Sequence, residues 1–263
     1  MNNIVASANR RTALLVFSQA AMLLAALSST TAAEQESSEY LPSGRKLSRL
    51  SKALADAPRR REFESVPFIL TSPELWDHEA ADLLLSYKYH ALQVWESTDF
   101  AAPWINLMRE AINGQVFSLG NADFLAVAAV HGNAHSALFN QVAWEKYKLA
   151  KVAGGQADFN SFIVEKAGAS PRDDLQDLTG FYGPQNSNIV SLQRRGAVFL
   201  GCHDSIHAIA RYLHQSGEFS DISPDAIAAD LTNNLIPGVV LVPSVVAFLV
   251  ELQHAGFTYS KAS

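Results

Sequence analysis

Gly196–Gly217 reads GAVFLGCHDSIHAIARYLHQSG. Ala197–Gly201 is a continuous apolar run of strand length, and it leads straight into polar residues. Ile206, Ile209, Ala210 and Leu213 then recur at i, i+3, i+4 and i+7, the face of an amphipathic helix that Gly217 ends. Asp204 or Ser205 can cap this helix. His207, Arg211 and His214 lie off the apolar stripe. The stretch is a buried strand running into a helix, the half-unit of an α/β fold.

The same pattern recurs on both sides. FLAVAAV (124–130) is a second buried run, followed by His131-Gly132-Asn133-Ala134-His135. ALQVW (91–95), VVLV (239–242) and FTYSK (257–261) read as further strands. Helices are predicted from Ser72-Pro73, from Pro103 to Ile112, over 136–150, and from Pro243-Ser244 to Gly256. Strands alternating with helices predict a mostly parallel sheet covered on both faces. In such sheets ligands collect at the carboxyl ends of the strands. His131 and Cys202 therefore face one crevice if their strands are neighbours.

Cys202 is the only cysteine among the 263 residues. It cannot form an internal disulfide, and covalent c-type haem is excluded. Three readings follow from the residues. A thiol just before a helix N-terminus is favoured as the thiolate, and a protonated His203 or His207 nearby would favour it further. Alternatively, His131, His135, Cys202 and His207 supply nitrogen and sulfur ligands for a metal or small ligand, although CxxC and HExxH are both missing. Finally, a strand-end cysteine can be inert packing. The chain carries no GxSxG, P-loop or GxGxxG motif, and no cofactor is read from it.

The first 33 residues have the layout of a secretory signal. Arg10-Arg11 is followed by an apolar stretch from Ala13 to Leu27 and by the small residues Thr31-Ala32-Ala33. The paired arginines resemble a twin-arginine export signal. Export predicts a periplasmic protein, with no membrane span once the signal is cleaved. The formal charge of −6 becomes −8 when Arg10 and Arg11, the only charges before Glu34, are removed. No basic surplus points to nucleic acid. Residues 34–87 read as a polar lead-in and an N-terminal helix, with Arg59-Arg60-Arg61 as a solvated charge run. Residues 88–263 form the α/β domain, with an insertion at about 145–188.

Leu241 to Tyr259, LVPSVVAFLVELQHAGFTY, resembles the closing signature of the DsrE/DsrF-like family of sulfur-relay proteins. That signature is a strand, a "VPSG" turn, a helix ending "LQxxGY" and a short strand. Val245 stands where the turn usually has glycine. The strand running into Cys202 and the strand ending in His131-Gly132 resemble the family's two other landmarks, so the likeness covers roughly 88–144 and 189–263. The resemblance implies a three-layer α/β sandwich assembled as trimers or hexamers, and a persulfide carried on Cys202. The expectation is an exported DsrE-like sulfur carrier or sulfurtransferase fed by a small-molecule sulfur donor, with Cys202 reacting and His131, Gly132, His135, His203 and His207 shaping its pocket. The alternatives are a non-catalytic ligand- or metal-binding module and an assembly protein with an inert cysteine.

Overall fold

Five strands build the sheet: β1 (Leu92–Ser97), β2 (Leu125–Val130), β3 (Val198–Cys202), β4 (Val240–Val242) and β5 (Thr258–Lys261). A computed structural model describes residues 44–155, 158–165 and 188–262, which belong to one compact unit beginning at Leu41. The leader read at 1–33, residues 34–43 and most of the insertion read at 145–188 lie outside the described residues. The strand order is β4-β3-β2-β1-β5 and every pairing is parallel. The expected α/β architecture is present, with a sheet that is wholly parallel.

The central strand explains the two-sided core. All six residues of β2 are buried. Ala126, Ala128 and Val130 enter one core, while Leu125, Val127 and Ala129 enter the other. This alternation is the period-2 geometry of a strand. Residues of α3 (Trp104–Asn113), α4 (Gln141–Tyr147), α5 (Ile189–Arg194), α6 (His203–Gln215) and α7 (Pro224–Asn233) pack into the first core. Residues of α1 (Arg45–Asp56), α2 (His78–Ser86) and α8 (Val245–His254) pack into the second.

The lead-in is part of this fold. Helix α1 buries Leu47, Leu50 and Leu54 at i, i+3 and i+7, and each leucine contributes about 1.5–3 kcal/mol by leaving water. Its first N–H groups have a distant cap: Asp123 Oδ1, just before β2, accepts from Lys46 and Leu47 at 2.8 and 2.9 Å. The chain then runs along β4, the edge strand. Asp77 is fully buried there. Its Oδ2 accepts the Leu241 N–H at 2.7 Å, and its own N–H donates to the Leu241 carbonyl at 3.1 Å. A side chain and a backbone group thus pair the open edge as a further strand would.

Arg59-Arg60-Arg61 belongs to this seam, which corrects its reading as a solvated run. Arg61 bonds both oxygens of Asp77, at 3.2 and 2.8 Å, and also the Val239 carbonyl. Arg59 donates to the same carbonyl, and the Arg60 N–H reaches Asp77 Oδ1 at 2.9 Å. The Arg60 guanidinium turns instead to Glu79, bonding both its oxygens. The acidic and edge partners of the arginines lie at 77, 79 and 239, so the run looked unpartnered in sequence.

Asp77 also interrupts the helix predicted from Ser72. One 3₁₀ turn spans Pro73–Leu75, with Ser72 accepting from the Glu74 N–H, and the α-helix starts only at His78. The helix predicted over 136–150 is similarly broken. A 3₁₀ segment covers Gly132–Leu138, and α4 starts afresh where Asn140 accepts from the Ala143 N–H.

Removing the Asp77 carboxylate leaves an unpaired edge N–H and two uncompensated arginines. Asp77→Ala should cost about 3–5 kcal/mol, and Leu50→Ala about 2–5 kcal/mol. Urea unfolding followed by circular dichroism measures both. A loss well under 1 kcal/mol for Asp77→Ala would show that the seam does not hold the fold.

Candidate functional site at the carboxyl end of the sheet

Strands β2 and β3 are neighbours, with Val130 paired to Gly201. His131 extends the β2 ladder by one bond, its N–H donating to the Ser97 carbonyl at 3.0 Å. His131 and Cys202 thus occupy adjacent strand tips, at the roughly 5 Å spacing of paired strands. Cys202 in turn pairs with Val242 of β4.

The helices leaving β3 and β4 depart to opposite faces. Ile206, Ile209, Ala210 and Leu213 of α6 enter the first core, whereas Val245, Phe248, Leu249 and Leu252 of α8 enter the second. Cys202 lies at the carboxyl end of the sheet, where ligands of open α/β sheets collect, between these two diverging helices. It is 2% exposed and packs in the second core, on the opposite face from the α6 stripe. Its Sγ accepts the backbone N–H of Val245, the first residue of α8, at 3.4 Å. Neither Asp204 nor Ser205 caps α6, because Cys202 itself holds the N-cap position. The Asp204 N–H goes to the Pro243 carbonyl, and Ser205 Oγ accepts the Gly132 N–H at 3.2 Å.

Two of the three histidines of α6, His203 and His207, are closed off by the lead-in. His203 Nε2 meets the Pro67 carbonyl at 2.8 Å, and His207 Nε2 meets the Val66 carbonyl at 3.2 Å. Phe68 sets its ring against His207, and the Arg211 guanidinium lies over Phe68. Asn233 fixes the same strap by bonding both the N–H and the carbonyl of Phe63. Both imidazoles are buried, as is His135. Burial pushes His203 down to about 4 and His135 down to about 3, and it also lowers His207.

Gly132 and Gly201 shape the other side of the tips. Gly132 sits at φ +60, and a Cβ there would lie 2.7 Å from the Thr98 carbonyl oxygen. A Cβ on Gly201 would lie 3.2 Å from His135 Nε2. Neither nitrogen of His135 has a hydrogen-bond partner among the described residues. Beside Gly132 opens a cleft of about 210 Å³, lined by Gly132, Asn133, Ser205, Ala208, Ile209, Tyr212 and Val152. It lies on the α6 side of the sheet.

One constellation escaped the sequence. Glu96 of β1 accepts from His131 Nε2 at 2.9 Å and from the Tyr259 hydroxyl of β5. Burial pushes the Glu96 carboxyl up, but these two hydrogen bonds outweigh it and hold the group below the usual carboxylate range. The bond to Glu96 raises the Tyr259 phenol. A Glu near a strand end carries no local signal; only the strand order brings it beside His131.

The site residues read from sequence thus divide three ways. His131 and Cys202 share one face, His135 and Gly132 line the other, and His203 and His207 hold the strap. No group of three or more His, Cys, Asp or Glu among the described residues is placed to hold a metal ion. Nor is any described helix long and apolar enough to cross a membrane. Comparison with protein-family models, curated proteins and solved structures gave no match.

The buried histidines set a pH dependence. Their folded-state pKa values lie below the unfolded value of about 6.5, so the unfolded chain binds more protons between that pH and the folded values. Stability is therefore full above about pH 6.5 and falls as pH drops toward about 4, by up to about 1.4 kcal/mol per pH unit for each such histidine. Unfolding free energies at stepped pH should show this slope, and His203→Gln should flatten it. An unchanged slope in that variant would remove His203 from the account.

Proposed function

We propose that the chain is an exported DsrE-like protein that carries sulfur on Cys202. The observation that supports this most is the placement of the thiol at the carboxyl end of β3, between helices that leave to opposite faces, with its Sγ taking a backbone N–H from the start of α8. Donation from an N–H stabilises a thiolate or a persulfide anion more than a neutral thiol. The strand-to-cysteine and strand-to-His-Gly landmarks of the sequence fall on adjacent tips. Assembly into trimers or hexamers is part of the same reading. Val246 and Val250 on the outer side of α8 are exposed and available to it.

Burial makes access the controlling step. A sulfur donor reaches Cys202 only when the first turn of α8 moves aside. Incubated with inorganic polysulfide, the protein should gain one sulfur atom by mass, and Cys202→Ser should gain none. Failure of the wild type to gain sulfur, together with a thiol that resists alkylation until the fold is opened, would reduce Cys202 to a packing residue.

The cleft beside Gly132 favours a second reading, a module that binds a small polar ligand without covalent chemistry. Asn133, Ser205 and Tyr212 supply its polar lining, while Val152, Ala208 and Ile209 make it apolar elsewhere, the usual mix of a ligand pocket. Fragment screening by NMR should place hits on Ala208 and Tyr212, and Ala208→Trp should abolish them. Hits elsewhere, or none, would remove the cleft from consideration.

A further inference from the structure

Three neighbouring strands end in three reactive side chains: Glu96 on β1, His131 after β2 and Cys202 on β3. The register fixes their common face. Glu96 pairs with Ala129 and Ala129 pairs with Leu200, and both partners lie in the second core. One step of two residues further on come His131 and Cys202, on the same face. Cys202 is itself in that core. Glu96 is an acceptor when ionised, so His131 Nε2 carries the hydrogen of the 2.9 Å bond between them. The basic position left on the ring is Nδ1, and the neighbour of His131 in register is the thiol.

We propose that Glu96 and His131 form a carboxylate–imidazole dyad that takes the proton of Cys202, with Tyr259 holding the carboxylate in place. This rests on the sulfur-carrying reading and names the base that the reading requires. Sγ–H gives its proton to His131 Nδ1, and the resulting imidazolium keeps its Nε2–H on Glu96. The thiolate then attacks a terminal sulfur of inorganic polysulfide. The Sγ–S bond forms as the adjoining S–S bond breaks, and that electron pair leaves on a polysulfide one atom shorter. Cys202 is left as a persulfide anion, stabilised by the Val245 N–H. Charge is conserved and no external oxidant enters.

Glu96 is a positioning residue here, and Tyr259 supports it from β5. The groups around the His131 imidazole come from several elements. Glu96 faces it from β1, Lys261 and Tyr259 act on Glu96 from β5, and His135 couples to it from the 3₁₀ segment. Helix α6 carries Asp204 in its first turn, and α8 brings no acidic side chain in its own. The carboxylate of Glu96 is therefore the group in direct contact that favours the imidazolium.

The test is the pH profile of Cys202 alkylation by iodoacetamide in the full chain, which needs no sulfur donor. In the wild type the rate should rise with pH. Glu96→Gln should shift that rise to lower pH and slow alkylation at pH 7 about tenfold, the effect of roughly one pKa unit. Glu96→Asp should recover part of the rate. His131→Gln should move the rise to higher pH. If Glu96→Gln fails to fold, the Asp and His131→Gln variants still decide. Coincident profiles for wild type and His131→Gln would overturn the dyad. Shifted profiles with no gain of sulfur from polysulfide would leave the dyad standing and overturn the sulfur reading. A thiol inert until unfolding would overturn both.

Discussion

A single buried carboxylate closes this sheet. Asp77 gives β4 the backbone partner that an edge strand lacks, and it collects the charge of two arginines in doing so. The ion pair by itself is weak evidence of stabilisation, because burying charge is costly. What justifies it here is the geometry. The carboxylate is held by N–H groups of Arg60, Arg61 and Leu241, so its lone pairs are occupied. The arrangement fixes where β4 ends, and hence where α8 begins above Cys202.

The site inherits its properties from that closure. The helices leaving β3 and β4 part to opposite faces, and the chain covers the strand ends between them with its own atoms. On one side the Val245 N–H covers the sulfur. On the other, Val66, Pro67 and Phe68 lie against the histidines of α6. The polar groups that remain accessible are those around the tips of β1, β2 and β5, and those in the cleft by Gly132. Cys202 is therefore enclosed, whereas the cleft beside Gly132 is open.

Much of the fold was legible because the informative signals were local. The runs 124–130 and 197–201 are continuous and apolar since both of their faces are covered, and the stripe of α6 follows helical spacing without a break. The pairing of His131 with Cys202 was legible only as a condition on strand order. Asp77 sits in Trp-Asp-His, which reads as helix interior, and its purpose is set by Leu241. Glu96 sits in Trp-Glu-Ser, an unremarkable strand end, and its partners lie 35 and 163 residues away. His207 lay off the apolar stripe, and the strap that covers it comes from the part of the chain that seemed least structured. In each case the missing information was a long-range contact, which periodicity does not encode.

The seam also dictates the order in which the molecule can be completed. Asp77 and Leu241 are separated by 164 positions, so the fastener of the edge emerges well before its counterpart. Until β4 emerges, Asp77 and its arginines have no edge to bind, and the apolar residues of α1 have an incomplete surface to cover. Contacts of such span are slow to form. The edge is thus completed only when two segments 164 positions apart meet, so α1, its arginine seam and β4 depend on one another rather than forming piecemeal.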